Sequence, residues 1–318
     1  MLLRHAIAAG ALCALAIDAA ASCGSAFCIV NTDWTSQGAW SEPGLRFDLR
    51  YEYIDQDQPR HGTDRIGVGA IPAHHDEVYT KNNNGFATVD WNVAPAWSVS
   101  VVLPYIDRDH YHIHNHGGGK LDERWNLRGV GDMRVMGRYQ LSASPDPASP
   151  SSTGLFFGLK LPTGEHDQAN GAGAIAERTL QPGTGTTDGI LGFWWHGGAP
   201  LEGWTWWTRL QGQFAMNSKD GFKPGNQVQL DGGVRRALGE SWAFMLQANA
   251  LYKGRDSGAD AEPEDSGQSA IFLSPGVSWN FSRDAQLYAF VQAPLWQKVN
   301  GVQLTADWSA LAGVSWRF

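Results

Sequence analysis

From Leu45 to Tyr53 the chain reads LRFDLRYEY, with Leu45, Phe47, Leu49, Tyr51 and Tyr53 on one side and Arg46, Asp48, Arg50 and Glu52 on the other. A period of two sends alternate side chains to opposite faces of an extended segment, so this stretch predicts a β-strand. The alternation returns in WSVSVVL (97–103) and in DMRVMGRYQL (132–141). It returns again where Trp206, Leu210 and Phe214 oppose Arg209, Gln211 and Gln213, where Val228, Leu230 and Val234 oppose Asp231 and Arg235, and where Leu287, Ala289 and Val291 oppose Gln286, Tyr288 and Gln292. About twelve such segments are expected, starting near residues 44, 84, 97, 129, 153, 187, 203, 226, 241, 268, 285 and 304. The segment GILGFWWH near 190 fits either phase.

A soluble sandwich also alternates, but the connections separate the two architectures. Every second gap is short: APA near 95, APLEG near 201, LGES near 240 and SRD near 283, with Pro/Ser-rich 142–152 the longest of them. The intervening gaps, 54–83, 107–128, 163–186, 217–225, 253–267 and 296–303, are long. An even number of strands with short turns at one end and long loops at the other is the pattern of an outer-membrane barrel. The expected fold is therefore all-β, a transmembrane antiparallel β-barrel of about twelve strands over residues 44–318. Trp91, Trp97, Trp242 and Trp279 fall near strand ends, where aromatic girdles sit at the lipid interface. The final segment ALAGVSWRF ends on Phe318, a terminal aromatic suited to recognition by the barrel-assembly machinery.

The first twenty-one residues have Arg4, an apolar run from Ala6 to Ile17, and small Ala19 and Ala21, which reads as a secretory signal too short to span a membrane. Residues 22–43 then form a leader carrying Trp34 and Trp40, either folded into the lumen as a short plug or lining the periplasmic mouth. Its Cys23 and Cys28 are expected to form a disulfide in an oxidising compartment; lipidation of Cys23 and a thiolate metal site are the alternatives.

Composition narrows the function. With 38 Gly, 15 Trp, 18% charged residues and a net charge of −8, the chain offers nucleic acid no basic surface; the expected partners are membrane lipid, lipopolysaccharide and a small-molecule solute. The inward wall is expected to carry Arg46, Asp48, Arg50, Arg134, Arg138, Lys160, Arg209, Asp231 and Arg235, with Glu52, Asp90, Asp132 and Arg317 beside them. These charges either pair into a network that stabilises the wall, or present excess guanidinium groups to anionic or polar aromatic solutes.

The strings NTDWTSQG, HYHIHNHGGG, GDMRVMGRYQL, GLKLPTGEHD and ERTLQPGTGTTDGILG together resemble a bacterial outer-membrane family named for the MetA pathway of phenol degradation, over essentially the whole mature chain. The resemblance implies a transporter-type barrel and brings no catalytic residues with it.

In HYHIHNHGGG, His110, His112, His114 and His116 recur at every second position in a predicted outer loop. Residues two apart in extended chain point the same way, so neighbouring imidazoles can share a metal, with Cu(II), Zn(II) and Ni(II) favoured. Further ligands could come from His61, His74, His75, Asp76, Asp107, Asp109, His166 or Asp167. The plainer alternative is a polar loop bonded to water or lipopolysaccharide.

The glycines of GTGTTDG (183–189) lack the strand-to-helix setting of a phosphate loop and read as turn formers; RDSGADAEPEDSG (255–267) lacks EF-hand spacing and reads as a solvated acidic loop. No Ser and His share a strand face in the sequence, which argues against a membrane-anchored hydrolase. The expectation is a non-enzymatic channel for small solutes, aromatic or hydrophobic compounds among them, in the bacterial outer membrane. The rivals are metal capture and uptake through the His row, and a barrel that merely anchors a hydrolase or adhesin.

Overall fold

A computed structural model describes residues 29–35, 37–38, 42–72, 74–115, 119–144 and 146–318. Cys23, Cys28, Trp40 and His116 lie outside the described residues, and so do the expected disulfide and the signal segment.

Twelve strands form the wall: β1 (Gly44–His61), β2 (Asp76–Ala94), β3 (Trp97–His114), β4 (Leu121–Val130 and Arg134–Ala143), β5 (Ser151–Lys160), β6 (Asp188–Ala199), β7 (Trp204–Ala215), β8 (Gln227–Leu238), β9 (Trp242–Lys253), β10 (Gln268–Asn280), β11 (Ala285–Val299) and β12 (Val302–Arg317). Each pairs antiparallel with its neighbours in sequence, and β12 returns to β1 with Leu49 opposite Val314, so the sheet closes. Closure leaves no strand edge unpaired, the condition for placing a sheet in lipid. Strand β4 is broken at 131–133: its first half pairs with the outer half of β3 and its second with the inner half.

The alternation holds as read. Leu45, Phe47, Leu49, Tyr51, Leu210, Phe214, Val228, Leu230, Leu287 and Val291 are exposed on the outside, while Asp48, Glu52, Gln213, Asp231, Gln286 and Gln292 are buried inside. The ambiguous β6 resolves with Trp194 inward, fully buried, and Leu191 and Phe193 outward. Trp91, Trp97, Trp242 and Trp279 are all exposed at the end where β1 starts and β12 finishes; Trp242 stacks on Trp279 at 5.7 Å and Trp97 packs on Tyr139 at 4.6 Å. Among the described residues no helix is long and apolar enough to cross a membrane, and the strands do the crossing.

Connections at the terminal end are short, 95–96, 144–150, 200–203, 239–241 and 281–284. At the opposite end three of the expected long loops shrink. Strand β1 runs on to His61 and β2 begins at Asp76, β3 continues through His114, and β11 and β12 meet at 300–301, where Gly301 adopts φ +53°. The physical reason lies on the outward face. Beyond Tyr51 and Tyr105 the outward positions include Asp55, Asp57, Asp107 and Asp109, which interrupt the apolar face before Tyr111 and Ile113, so the strands project past the apolar belt and the apolar marker of strand phase weakens. His110, His112 and His114 are consequently on a strand, not in a loop.

Candidate functional site

The lumen is divided by two inward-folded segments. From below, residues 29–35 enter the barrel. Trp34 is 1% exposed and meets Tyr288 edge-on at 4.8 Å, in a cluster with Val30, Met245, Phe290 and Leu311. Polar ties hold the same segment: Asn31 N–H donates to Gln247 Oε1 at 3.0 Å, Gln247 Nε2 returns a bond to Asn31 O at 2.9 Å, and Arg50 donates to Thr32. Tyr288 in turn donates to Asp48 at 2.8 Å, so a buried carboxylate on β1 anchors the ring that the plug packs against.

From above, the β5–β6 loop, 161–187, folds back into the lumen. Leu180 and Ala176 pack on Trp125 and Leu127 of β4, and Arg108 of β3 donates to the carbonyls of Thr179 and Leu180 at 3.0 and 2.6 Å. Its base is latched by Asp132, at the break in β4. The Asp132 carboxylate accepts from Lys160 Nζ (2.7 Å), Gly164 N–H (3.1 Å), Thr184 N–H (2.9 Å) and Thr184 Oγ1 (2.9 Å). Gly183 and Gly164 touch here: a Cβ on Gly183 would lie 2.4 Å from Gly164 O, so no larger residue fits.

Between plug and loop lies a cavity of about 450 Å³. Arg46, Asp48, Arg50, Arg134, Arg138, Lys160 and Arg209 line it, as the sequence suggested. Asp231 instead is buried in the wall, where Asn249 and Gln229 donate to it at 2.8 and 2.9 Å; Arg235 is half-buried outside the cavity lining. Many lining charges are paired: Arg46 with Asp90, Arg50 with Glu52 at 2.9 Å, and Lys160 with Asp132. Arg134, Arg138 and Arg209 form no ion pair with a described carboxylate. Two of them lie over aromatic rings, Arg138 at 3.8 Å from Trp194 and Arg209 at 4.3 Å from Phe156, as Arg50 does at 4.3 Å from Phe86.

At the outer mouth His110, His112 and His114 face inward. His110 is fully buried, His112 nearly so, and His114 half-buried. Thr80 Oγ1 lies 2.8 Å from His110 Nδ1, His110 Nε2 lies 3.1 Å from His112 Nδ1, and His112 Nε2 lies 3.0 Å from Glu123 Oε2. These three contacts share one consistent assignment, in which the hydroxyl donates to His110, His110 to His112, and His112 to the carboxylate. Both imidazoles sit beyond the apolar belt, outside the membrane-spanning part of β3. Burial pushes His110 well below its ordinary value, and burial also pushes His112 down against the opposing pull of Glu123. Both rings are thus neutral near pH 7.

His112 also converges with His75, Glu77 and Glu177, whose donor atoms all lie within 4.8 Å of one another. Of the four expected ligands, then, His112 enters this group; His110 stands behind it, and His114 lays its ring on His75 at 4.4 Å. His75 was among the expected auxiliary ligands. Glu77 and Glu177 were missed, because one lies two residues beyond His75 and the other 65 residues after His112.

Two other readings change. Asp256 of the acidic loop is 1% exposed and bonds Lys253 at 2.9 Å, and Asp265 lies 3.4 Å from His74, so this loop is tied to the wall and not merely solvated. Burial pulls the His74 value down, but the bonds to Asp265 and to the His75 carbonyl, with the charges of Asp265 and Glu262, together raise it. Ser152 and His196, on adjacent strands β5 and β6, do meet, Oγ to Nε2 at 3.1 Å. The imidazole is covered, however, by Trp194 stacked at 5.5 Å and by Gly38, where a Cβ would lie 2.8 Å from the ring.

A family model described as "Putative MetA-pathway of phenol degradation" matches residues 75–317. The chain belongs to this family. No curated protein matches it. Among solved structures, the COG4313 outer membrane channel from Pseudomonas putida F1 superposes with a TM-score of 0.66 at 12% identity, covering 87% of this chain and 96% of that one. The NanC porin gives 0.44 at 12% identity (86% and 100% covered), and the β domain of the Bordetella autotransporter BrkA gives 0.44 at 13% (87% and 100%). The family member described here is an outer-membrane β-barrel.

Proposed function

We propose that this barrel is a non-enzymatic channel for small anionic solutes, aromatic carboxylates above all, which pause in the cavity between plug and loop. One observation carries the reading: among the described residues Arg134, Arg138 and Arg209 face the cavity with no carboxylate in ion-pair contact, two of them lying on aromatic rings. The lining holds nine Arg/Lys against six Asp/Glu, in a chain whose net charge is −8, so the positive excess is local to the lumen. A ring of like charges at a constriction selects ions of the opposite sign, and guanidinium groups recognise planar carboxylates through paired bonds. Membership of a family named for phenol degradation supports an aromatic solute. The cavity falls within the roughly 300–1,000 Å³ of small-molecule sites.

Reversal potentials across planar bilayers test this. The wild type should prefer benzoate to a cation of similar size, and Arg138→Gln/Arg209→Gln should lose that preference while the barrel stays folded. A cation-selective wild type, or an unchanged double variant, refutes the reading.

A further inference from the structure

The β1–β2 connection, two strands and the β5–β6 loop bring His75, Glu77, His112 and Glu177 to one point at the outer mouth. Three of the four are buried and the fourth is half-buried, so the donors form a pocket and not a solvated surface patch. Two imidazoles and two carboxylates are a donor set that borderline divalent ions such as Zn(II) accept. A tetrahedral ion with bonds of about 2.0–2.1 Å holds its donors roughly 3.4 Å apart. Donors already within 4.8 Å reach that spacing by side-chain movements of about an ångström.

The surroundings match what a metal-binding histidine needs. Glu123 accepts from His112 Nε2 at 3.0 Å, which holds the ring orientation and leaves the Nδ1 lone pair for an ion; in the metal-free chain that lone pair accepts from His110. Trp125 packs on His112 at 4.9 Å and donates its indole N–H to Ala174 O at 2.9 Å, bringing the β5–β6 loop against the same corner.

We propose that His75, Glu77, His112 and Glu177 bind one divalent transition-metal ion, and that the ion staples the β5–β6 loop to the wall of the barrel at its outer mouth. Glu177 is the loop's own contribution; the other three belong to the wall and to the connection entering β2. Binding therefore adds a tie between the roof of the cavity and strands β2 and β3, and removing the ion leaves the loop on its hydrogen bonds to Arg108, Asp132 and Trp125 and its packing on Trp125 and Leu127. The site stands whether or not the lumen conducts anions, because its test is binding.

The test is calorimetric titration of ZnCl₂ into the tag-free, chelator-stripped barrel folded in detergent, with MgCl₂ as the hard-cation control. The expected result is one Zn(II) per chain at micromolar or tighter affinity and no Mg(II) heat. Glu177→Gln and His112→Ala should each weaken binding at least tenfold, and His166→Ala, outside the cluster, should not. Glu177 sits on a loop, so its variant leaves the wall intact; heat-modifiable mobility on gels checks that both variants are folded. Protease cleavage within 161–187 should slow on adding Zn(II) to the wild type and not to Glu177→Gln. Absence of Zn(II) binding, or binding unchanged in both ligand variants, overturns the site. Binding lost in the variants without loop protection in the wild type overturns the staple.

Discussion

Replacing Asp132 by Ala should release the β5–β6 loop while leaving the barrel standing. The carboxylate accepts four bonds, two from backbone N–H groups at the two ends of the loop, one from the Thr184 hydroxyl and one from Lys160. Both members of the Asp132–Lys160 pair are buried, 8% and 5% exposed. Removing one member of a buried pair costs about 3–5 kcal/mol, because the other charge is left without its partner. Here Lys160 keeps Asp188 at 3.4 Å and the Thr186 carbonyl at 2.9 Å, which places the loss at the lower end, about 3 kcal/mol. At about 1.4 kcal/mol per tenfold, the open population of the loop rises roughly 100-fold. Cleavage within 161–187 under limiting protease reports that population directly, since reclosing is fast relative to cutting. The Asp132→Ala variant should be cut about 100-fold faster and should conduct in larger steps, with Asp132→Asn between it and the wild type. Cutting within threefold of wild type would mean that Arg108 and the Trp125 cluster hold the loop unaided, and the latch argument would fail.

Three further outcomes follow from the same contacts. Trp34→Ala empties a fully packed site in the plug and should lower barrel stability by about 3–5 kcal/mol, read as a lower denaturant midpoint; a loss under 1 kcal/mol would place the plug outside the folded unit. Asp256→Ala takes the carboxylate from the buried Lys253 ammonium and should cost about 3 kcal/mol, whereas Asp256→Ala with Lys253→Met should recover most of it; no recovery would show that the bond to Gly225 matters more. Burial, with Glu177 and Asp265 adding negative charge and His74 opposing them, pushes the Glu262 carboxyl up to about 10 from an ordinary 4.5. A raised value favours the protonated folded form, so its contribution is complete below about pH 4.5 and is lost as pH rises through about 10. Relative to Glu262→Gln, the loop 254–267 of the wild type should become steadily easier to cleave across that range, and parallel profiles would contradict the assignment.

The strands were legible because lipid imposes a rule on every second residue: Leu45, Phe47 and Leu49 had to face outward, so Arg46 and Asp48 had to face in. Where the wall leaves the lipid the rule lapses. Asp107 and Asp109 are outward as surely as Leu103, but nothing in their chemistry says so, and the outer half of β3 reads as a loop. The site was less legible for a different reason. GDMRVMGRYQL, GLKLPTGEHD and ERTLQPGTGTTDGILG stand out as separate strings, yet Asp132, Lys160 with Gly164, and Gly183 with Thr184 are their shared meeting point. Loop folding, not local pattern, joins them. Ser152 and His196 are a gentler case: 44 residues apart, they become opposite neighbours once β5 and β6 are laid in register.

The two closures of the lumen differ in kind, and the difference says which one moves. The plug is held by an apolar cluster around Trp34 that grips five side chains of the plug and wall, together with paired amide bonds between Asn31 and Gln247. Apolar contacts of this sort respond little to pH, ions or solute charge. The roof carries a smaller apolar cluster and is otherwise held by charge: Asp132 at its base, the Arg108 guanidinium on its carbonyls, and Glu177 in the His–Glu corner. Each of these ties has a competitor that an outer-membrane protein meets from outside, whether a proton, a metal ion or an anionic solute. On the proposed function, a solute carboxylate held by Arg134, Arg138 and Arg209 would share the cavity with Arg178 and Thr184 of the loop, so its charge would act on the electrostatic roof more than on the apolar floor. Opening at the roof exchanges polar partners and uncovers the small cluster of Leu180 and Ala176 on Trp125 and Leu127, whereas opening at the plug must expose Trp34 and its five apolar neighbours, so on the proposed function the β5–β6 loop yields first.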